Sequence, residues 1–337
     1  MVDHRHVVIG FQGSGKTTYA AALWYLVDAR AKQVTTVLSK GAHRGEYAYL
    51  EMIADAWERG YQVKRTGVGT WKSVTINLRA ETVEGDIELS FIDMSGETFE
   101  QIFVSREYDA RLEAMVSGCE GMLLFVSADR QVDDASLVDF GMTFPEEMPE
   151  ECEQDDDDEA GRAGAETSDS GAEEVKASGA VDVSGNEAPQ SQGRAGATPA
   201  GKPSEFRPAL TPRQVQIVDL LEAFSDAPLK LRPKRIAVVI SAWDLVGPDV
   251  TPDGWLMDKM PLVDQYLRSR SDEFETRIYG VSAQGGRLPQ QGQSDEGSDR
   301  QALLAMQVPS SRIRVVGHGA EDHDLTHPIA WLSSLEE

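Results

Sequence analysis

The chain has 337 residues, a formal net charge of −25 at pH 7 and 40% hydrophobic residues. That size suits one large domain or two small ones, and the acidic excess argues against nucleic acid or an anionic membrane as a partner. Cys119 and Cys152 form no disulfide pattern, and no apolar run reaches the roughly 20 residues of a membrane span. The first strand begins too early for a signal peptide. We therefore expect a cytoplasmic protein.

The first predicted elements are a strand at 5–10 and a helix at 16–29, joined by a glycine-rich turn. The turn matches the phosphate-binding pattern G-x-x-x-x-G-K-[ST]. Its glycines let backbone N–H groups point at phosphate oxygens, and the helix N-terminus adds partial positive charge. Lys16 is expected to reach the β- and γ-phosphates, and the Thr17 hydroxyl to bind Mg²⁺. The predicted phosphate contacts come from Gly10, Gly13, Ser14, Gly15, Lys16, Thr17 and Thr18.

The next elements are a helix and a pair of strands. Apolar residues recur at helical spacing at 46–60. Apolar and polar residues alternate at 74–78, which is typical of a half-buried edge strand. Glu84-Gly85 then turns the chain into an apolar segment at 87–92, so the two strands are predicted to form an antiparallel hairpin. A single helix is predicted at 99–116.

A second chemical motif follows the hairpin, where Asp93 and Gly96 form a D-x-x-G sequence. An Asp at the end of a strand beside the phosphate loop can hold Mg²⁺ through water, and the N–H of Gly96 can meet the γ-phosphate. This arrangement is that of switch II in GTPases. The alternative for Asp93 is a strand-end turn residue.

A buried strand and a change of composition come next. The apolar run at 121–126 is typical of a central parallel strand covered on both faces. Residues 146–209 are rich in acidic residues, Gly, Ala, Ser and Pro, and cannot bury enough apolar surface to offset their ordering entropy. We predict a disordered insertion that acts as a spacer or as a docking site for a basic partner. Residues 1–145 and 210–337 would then be two parts of one P-loop domain.

Strands and helices also alternate after the insertion. Helices are predicted at 211–224, 256–267 and 328–335, and strands at 236–240, 277–281 and 313–316. This alternation implies a mostly parallel sheet with helices on both faces. The predicted fold class is therefore a three-layer α/β/α P-loop fold, mostly parallel, with one antiparallel edge strand.

The phosphate loop and the D-x-x-G motif together resemble the TRAFAC GTPases, which include Ras-like switches and translation factors. A narrower resemblance is to the double-GTPases of prokaryotic conflict systems. It rests on three segments: Gly-Ser-Gly-Lys-Thr-Thr at 13–18, Ile-Asp-Met-Ser-Gly-Glu-Thr-Phe at 92–99 and the closing Asp-Leu-Thr-His-Pro-Ile-Ala-Trp-Leu at 324–332. The resemblance implies a Mg²⁺-dependent switch that binds GTP and GDP, hydrolyses GTP slowly, and works with a second GTPase or an effector in a defence system.

The resemblance places base recognition after the strand at 236–240. The family pattern is Asn/Thr-Lys-x-Asp, whereas this chain has Ser-Ala-Trp-Asp at 241–244 and lacks the stacking lysine. Asp244 is expected to accept hydrogen bonds from guanine N1 and N2; helix capping is the alternative. Ser282 and Ala283 resemble the later Ser-Ala-x loop, in which a backbone N–H meets the guanine carbonyl.

Switch I should supply a threonine for Mg²⁺ and the γ-phosphate. Thr70 is the candidate and Thr66 its rival, while Arg65 is either an internal arginine finger or an exposed arginine. Glu97 stands where Ras-like enzymes have Gln, and its carboxylate could orient or deprotonate a water. The predicted catalytic residues are Lys16, Glu97 and Thr70, and the predicted magnesium ligands are Thr17, Asp93 and Thr70.

Two other functions remain open at this point. The chain could be an ATP-using P-loop phosphotransferase, because the base-recognition pattern is incomplete. It could also be an assembly scaffold that binds nucleotide without turnover, which Glu97 in place of Gln favours slightly. A metal site among His318, His323 and His327 is conceivable, but a polar loop is the preferred interpretation of that segment.

Overall fold

An eight-stranded sheet runs through the computed structural model, which describes residues 2–28, 34–42, 47–63, 73–80, 86–92, 97–108, 110–129 and 211–335. The strands are β1 (Val2–Ile9), β2 (Leu38–Lys40), β3 (Val74–Ala80), β4 (Asp86–Phe91), β5 (Gly121–Ser127), β6 (Arg235–Ser241), β7 (Glu275–Ser282) and β8 (Arg314–Val316). Their order across the sheet is β2-β3-β4-β1-β5-β6-β7-β8. The five strands from β4 to β7 in this order are mutually parallel, and the outer strands pair antiparallel.

Helices cover both faces of the sheet. They are α1 (Lys16–Val27), α2 (Ala48–Glu58), α3 (Glu97–Ser105), α4 (Ala110–Val116), α5 (Arg213–Ser225), α6 (Pro252–Lys259), α7 (Pro261–Ser269), α8 (Arg300–Leu304) and α9 (His327–Leu332). Alternate residues of each central strand enter different cores: Leu123 packs with α1, α2 and α9, whereas Leu124 packs with α3 to α7. The three-layer, mostly parallel fold class is confirmed.

Two predicted helices are each divided in two. The segment at 99–116 breaks after α3 because Arg106 adopts a left-handed backbone conformation (φ 59°), which a right-handed helix cannot continue. Arg106 forms a bidentate ion pair with Asp219 of α5. The segment at 256–267 breaks at Met260, because a residue before proline is pushed out of the helical region, here by Pro261.

The predicted hairpin is confirmed, but its first strand is not at the edge. Val74, Ile76 and Leu78 pair with Phe91, Leu89 and Ile87 in antiparallel register. β2 then adds outside β3, so the segment at 74–78 lies within the sheet. Three residues are too few to show a strand period, which is why sequence did not predict β2.

Three tryptophans on helices are buried in the core: Trp24, Trp57 and Trp331. None of the helices in the described ranges is long and apolar enough to cross a membrane. The insertion at 146–209 lies outside the described residues, so its disorder and the domain boundaries around it stay predictions.

Candidate nucleotide-binding site

The phosphate loop joins β1 to α1 in a tight turn. The N–H of Ser14 donates to the carbonyl of Phe11 at 3.2 Å, and α1 begins at Lys16. Gly15 has a left-handed φ of 89°, and a Cβ there would lie 2.7 Å from the Cβ of Ser241. Only glycine fits this position, because a side chain would both strain the backbone and collide with the end of β6.

Lys16 is held inside this turn. Its side chain is only 2% exposed, and its Nζ donates to the carbonyls of Gly10 and Phe11, the latter at 3.1 Å. The ring of Phe99 on α3 lies 5.9 Å from the ammonium. The cation is therefore positioned where the loop backbone curves, as a phosphate contact requires.

Neighbouring hydroxyls fit a phosphate ligand as well. Ser14 is buried, and its Oγ has no hydrogen-bond partner among the residues that the structure describes. A buried hydroxyl without a partner is costly unless a ligand or water satisfies it. Thr17 and Thr18 follow in the first turn of α1 and are half-buried. Thr17 lies on the turn that bears Lys16, and its contact with magnesium stays a prediction.

A cavity of about 380 Å³ opens beside the loop, at the carboxyl ends of β5, β6 and β7. Ligands of open parallel sheets bind at this end of the strands, and the volume is typical of a small-molecule site. The cavity brings together residues that were predicted from three distant parts of the chain. The predicted site residues on its wall are Gly13, Gly15, Thr18, Asp244 and Ala283.

The segment predicted to recognise the base, 241–244, takes an unusual local form. Ala242 has a left-handed φ of 56° and precedes a short 3-10 helix, Trp243–Leu245. Trp243 is buried against β7, where a Cβ on Gly280 would lie 2.2 Å from the indole. This wedge turns Asp244 outward, and its Oδ1 accepts a hydrogen bond from Ser282 Oγ at 2.5 Å. This partner of the Asp244 carboxylate is thus a side chain of β7 rather than a helix N–H, and the contact of Asp244 with a base stays a prediction.

The loop after β7 is held by its own polar contacts. Ser282 Oγ also accepts from the N–H of Gly285 at 3.1 Å. Asp299 anchors the far side of the loop: its Oδ2 accepts the N–H of Arg287 at 2.7 Å, and its own N–H donates to the carbonyl of Arg287 at 2.8 Å. The loop that carries Ala283 is thus fixed at both ends.

Sequence reasoning missed several cavity residues. β5, β6 and β7 each end on a serine, and Ser127, Ser241 and Asp129 all line the cavity. A polar residue directly after an apolar parallel strand was the signal that could have indicated them. Gln62 and Arg287 also line the cavity. Both lie in loops, where no periodic pattern marks them.

Several predicted site residues lie outside the described residues, and no side chain is described for Glu97, the first residue of α3. Their proposed roles in magnesium binding and catalysis therefore stay predictions. The residues outside the described ranges are Arg65, Thr66, Thr70, Asp93 and Gly96.

The closing motif at 324–332 serves the architecture. Asp324 is buried and accepts hydrogen bonds from the N–H groups of Val37 (2.9 Å) and Thr326 (2.7 Å); burial raises the pKa of its carboxyl. The hydroxyl of Thr326 accepts the N–H of Leu38 at 3.0 Å, which fixes β2. The hydroxyl of Tyr19, on α1, donates to a main-chain carbonyl of the motif at 2.6 Å. The motif therefore joins the sheet edge to the helix of the phosphate loop.

The nearby histidines do not form a metal cluster within the described ranges, where no group of three or more His, Cys, Asp or Glu side chains could hold a metal ion. Burial lowers the pKa of His327 to about 4, so this imidazole is neutral at pH 7. His318 accepts the N–H of Ile278 at 3.2 Å, and burial lowers its pKa as well.

A mostly parallel sheet with a glycine-rich turn between its central strand and the first helix is the fold of P-loop nucleotide-binding proteins. A family model described as Double-GTPase 1 matches residues 7–332, nearly the whole chain. The chain belongs to the Double-GTPase 1 family, as the resemblance of its motifs indicated. This membership implies GTP binding and GTPase activity. No curated protein shows significant similarity to the chain.

Proposed function

We infer that this protein is a Mg²⁺-dependent GTP switch with slow hydrolysis. The observation that carries the inference is the shared cavity: the phosphate loop and the segments with Asp244 and Ala283 line one space of about 380 Å³. A guanine nucleotide would extend across this cavity, with its phosphates on the phosphate loop and its base at the carboxyl ends of the strands.

At the phosphate end, Lys16 would exchange its contacts with the carbonyls of Gly10 and Phe11 for phosphate oxygens. The hydroxyl of Ser14 would gain a partner from the same group. Thr17 would hold Mg²⁺ together with Asp93 and Thr70 or Thr66. When bound, the ion neutralises charge on the β- and γ-phosphates.

At the base end, Asp244 would accept hydrogen bonds from N1–H and N2–H of guanine, a pair of donors that adenine lacks. The hydroxyl of Ser282 fixes the carboxylate for this contact. A backbone N–H of the loop that carries Ala283 would meet the guanine carbonyl. Ala242 stands at the position of the usual stacking lysine, so the base would lose that cation over its face.

Turnover is proposed to be slow because a carboxylate, Glu97, replaces the usual Gln beside the γ-phosphate. Phosphoryl transfer depends mainly on positioning and charge neutralisation, which the loop and Lys16 would still supply. Gly96 and the switch I threonine would respond to loss of the γ-phosphate and change the surface offered to a partner. The partner would be a second GTPase or an effector of a cytoplasmic prokaryotic defence system.

The test is competition binding and single-turnover hydrolysis with the purified full chain and Mg²⁺. We expect GTP and GDP to bind at least about a hundredfold more tightly than ATP, since a desolvated polar contact discriminates strongly. Hydrolysis should be slow but above background. Equal affinity for ATP would support a phosphotransferase instead, and tight GTP binding with no hydrolysis would support a scaffold.

A further inference from the structure

One tryptophan reaches from α2 to the proposed base-recognition loop. Trp57 is fully buried, and its indole Nε1–H donates to the carbonyl of Ala283 at 2.8 Å. The two residues are 226 positions apart in sequence. The loop therefore takes part of its geometry from a helix that does not itself line the cavity.

Trp57 is in turn fixed on both sides. The guanidinium carbon of Arg312 lies 3.7 Å from the centre of the Trp57 ring, and Arg312 Nη2 donates to the carbonyl of Trp57. The ring of Tyr25 on α1 packs at 5.0 Å. Arg312 is only 4% exposed, and its Nε and Nη1 have no hydrogen-bond partner among the described residues. Within the described ranges, the hydrogen bond of the guanidinium and its ring contact are therefore both made with Trp57.

Further contacts attach the end of α2 to the same part of the chain. The N–H of Gln62 donates to the carbonyl of Pro289 at 2.9 Å. Arg300 donates to the carbonyl of Arg59 through Nε (3.2 Å) and Nη2 (3.1 Å), and stacks on Tyr61 at 4.2 Å. Because these contacts are independent of the indole N–H, loss of that one donor should change the loop locally and leave the two segments attached.

We propose that Trp57 is a positioning residue for base recognition, because its indole N–H sets the orientation of the Ala283–Gln284 peptide on the cavity wall. This inference rests on the proposed function of the same site. A peptide group is planar, so its N–H points away from its carbonyl. With the carbonyl bonded to the buried Trp57, the N–H of Gln284 is directed away from α2. Ala283 and Gln284 both line the cavity, where that N–H would meet the O6 acceptor of guanine.

This geometry predicts a specific pattern of nucleotide selectivity. GTP and ITP both carry the O6 acceptor, whereas ATP has an amino donor at that position. The substitution Trp57→Phe keeps an aromatic ring against Tyr25 and Arg312 but removes the N–H donor. We expect GTP and ITP affinity to fall about fivefold, the typical effect of one neutral hydrogen bond, and ATP affinity to stay unchanged.

Trp24→Phe is the matched control. Trp24 is also buried, on α1, but it packs against Tyr47 and Lys40 instead of the base loop. We expect this variant to show the parental affinity for all three nucleotides. Thermal unfolding of each full-length variant verifies that it is folded. If Trp57→Phe does not fold, Arg312→Gln removes the cation from the indole face and is expected to reduce the ratio of GTP to ATP affinity in the same direction.

The outcomes separate this inference from the proposed function. If the parent protein shows no preference for GTP over ATP, the proposed function fails and the inference fails with it. If the parent prefers GTP and a folded Trp57→Phe variant keeps the parental GTP-to-ATP ratio, the positioning role is wrong and the proposed function stands. An equal loss of affinity for GTP, ITP and ATP also overturns the inference, because it indicates general damage to the site.

Discussion

The two sides of the cavity are built in different ways. On the proposed phosphate side, the turn and its lysine come from one strand, one turn and one helix that follow each other in sequence, and Lys16 bonds to the carbonyl of Gly10, six residues away. On the base side, Asp244 bonds to Ser282, 38 residues away, and Trp57 bonds to Ala283, 226 residues away. A locally encoded site must keep its motif, whereas a site assembled by tertiary contacts can tolerate a changed motif if the contacts adapt.

The largest effect is expected on the phosphate side, from Lys16→Ala. Loss of this buried ammonium should weaken GTP binding about a hundredfold, because a hydrogen bond to a charged group contributes roughly 3 kcal/mol. Titration of the variant with labelled GTP in the presence of Mg²⁺ measures this loss of affinity. Lys40→Ala is the control, since Lys40 lies over Trp24 outside the cavity. Parental GTP affinity in Lys16→Ala would refute the phosphate-binding role of the turn.

A somewhat smaller effect, and a change of specificity, is expected on the base side from Asp244→Asn. The amide can no longer accept from both guanine donors, so GTP affinity should fall about thirtyfold, or on the order of 2 kcal/mol. The same amide can donate to the 2-oxo group of xanthine, so XTP affinity should rise. Competition binding between GTP and XTP measures this change in relative affinity. If GTP remains strongly preferred, Asp244 does not contact the base.

A smaller effect of the same kind should follow removal of the hydroxyl that orients Asp244. Ser282→Ala deletes the 2.5 Å bond to Asp244 and the acceptor for the Gly285 N–H. We expect about a fivefold loss of GTP affinity, the cost of one hydrogen bond. Ser269→Ala, on the exposed end of α7, is the control. No change in Ser282→Ala would show that Asp244 keeps its orientation without this bond.

The smallest effect on nucleotide binding is expected from His6, which does not line the cavity. This residue should instead affect how the free energy of unfolding depends on pH. Burial, helped by His4, lowers the pKa of His6 from 6.5 to about 3. Below pH 6.5 the unfolded chain binds a proton at this residue that the folded chain does not, so the free energy of unfolding falls as pH decreases toward 3, by about 1.4 kcal/mol per pH unit. Above pH 6.5 this residue contributes no pH dependence.

His327 adds to this dependence over a narrower range, because burial lowers its pKa to about 4. The raised pKa of Asp324 acts in the opposite direction at lower pH, since the folded chain then binds that proton first. Denaturant unfolding at pH 7.5 and 5.5 measures the combined effect of these groups on the free energy of unfolding. His6→Gln should reduce the difference and keep the parental GTP affinity at pH 7.5. An unchanged pH dependence would show that His6 titrates normally.

Sequence predicted those features that depend on neighbouring residues. The turn from Gly10 to Thr17, the buried strand at 121–126 and the hairpin were predictable because local spacing determines them. The break at Arg106 was not, because its left-handed conformation accompanies an ion pair with Asp219, 113 residues away. Pro261 could have indicated the second helix break. The Trp57 contact with the loop after β7 has no local signal, because its partners Ala283 and Arg312 lie 226 and 255 residues away in sequence.

The packing of Trp243 against Gly280 has a consequence for how these positions can vary together. The indole occupies the volume that a side chain at position 280 would need. Shrinking residue 243 alone would leave a void beneath the turn that carries Asp244, and enlarging residue 280 alone would create a steric collision. Substitutions at these two sites should therefore be tolerated in pairs, with a small residue at 243 accompanying any side chain at 280.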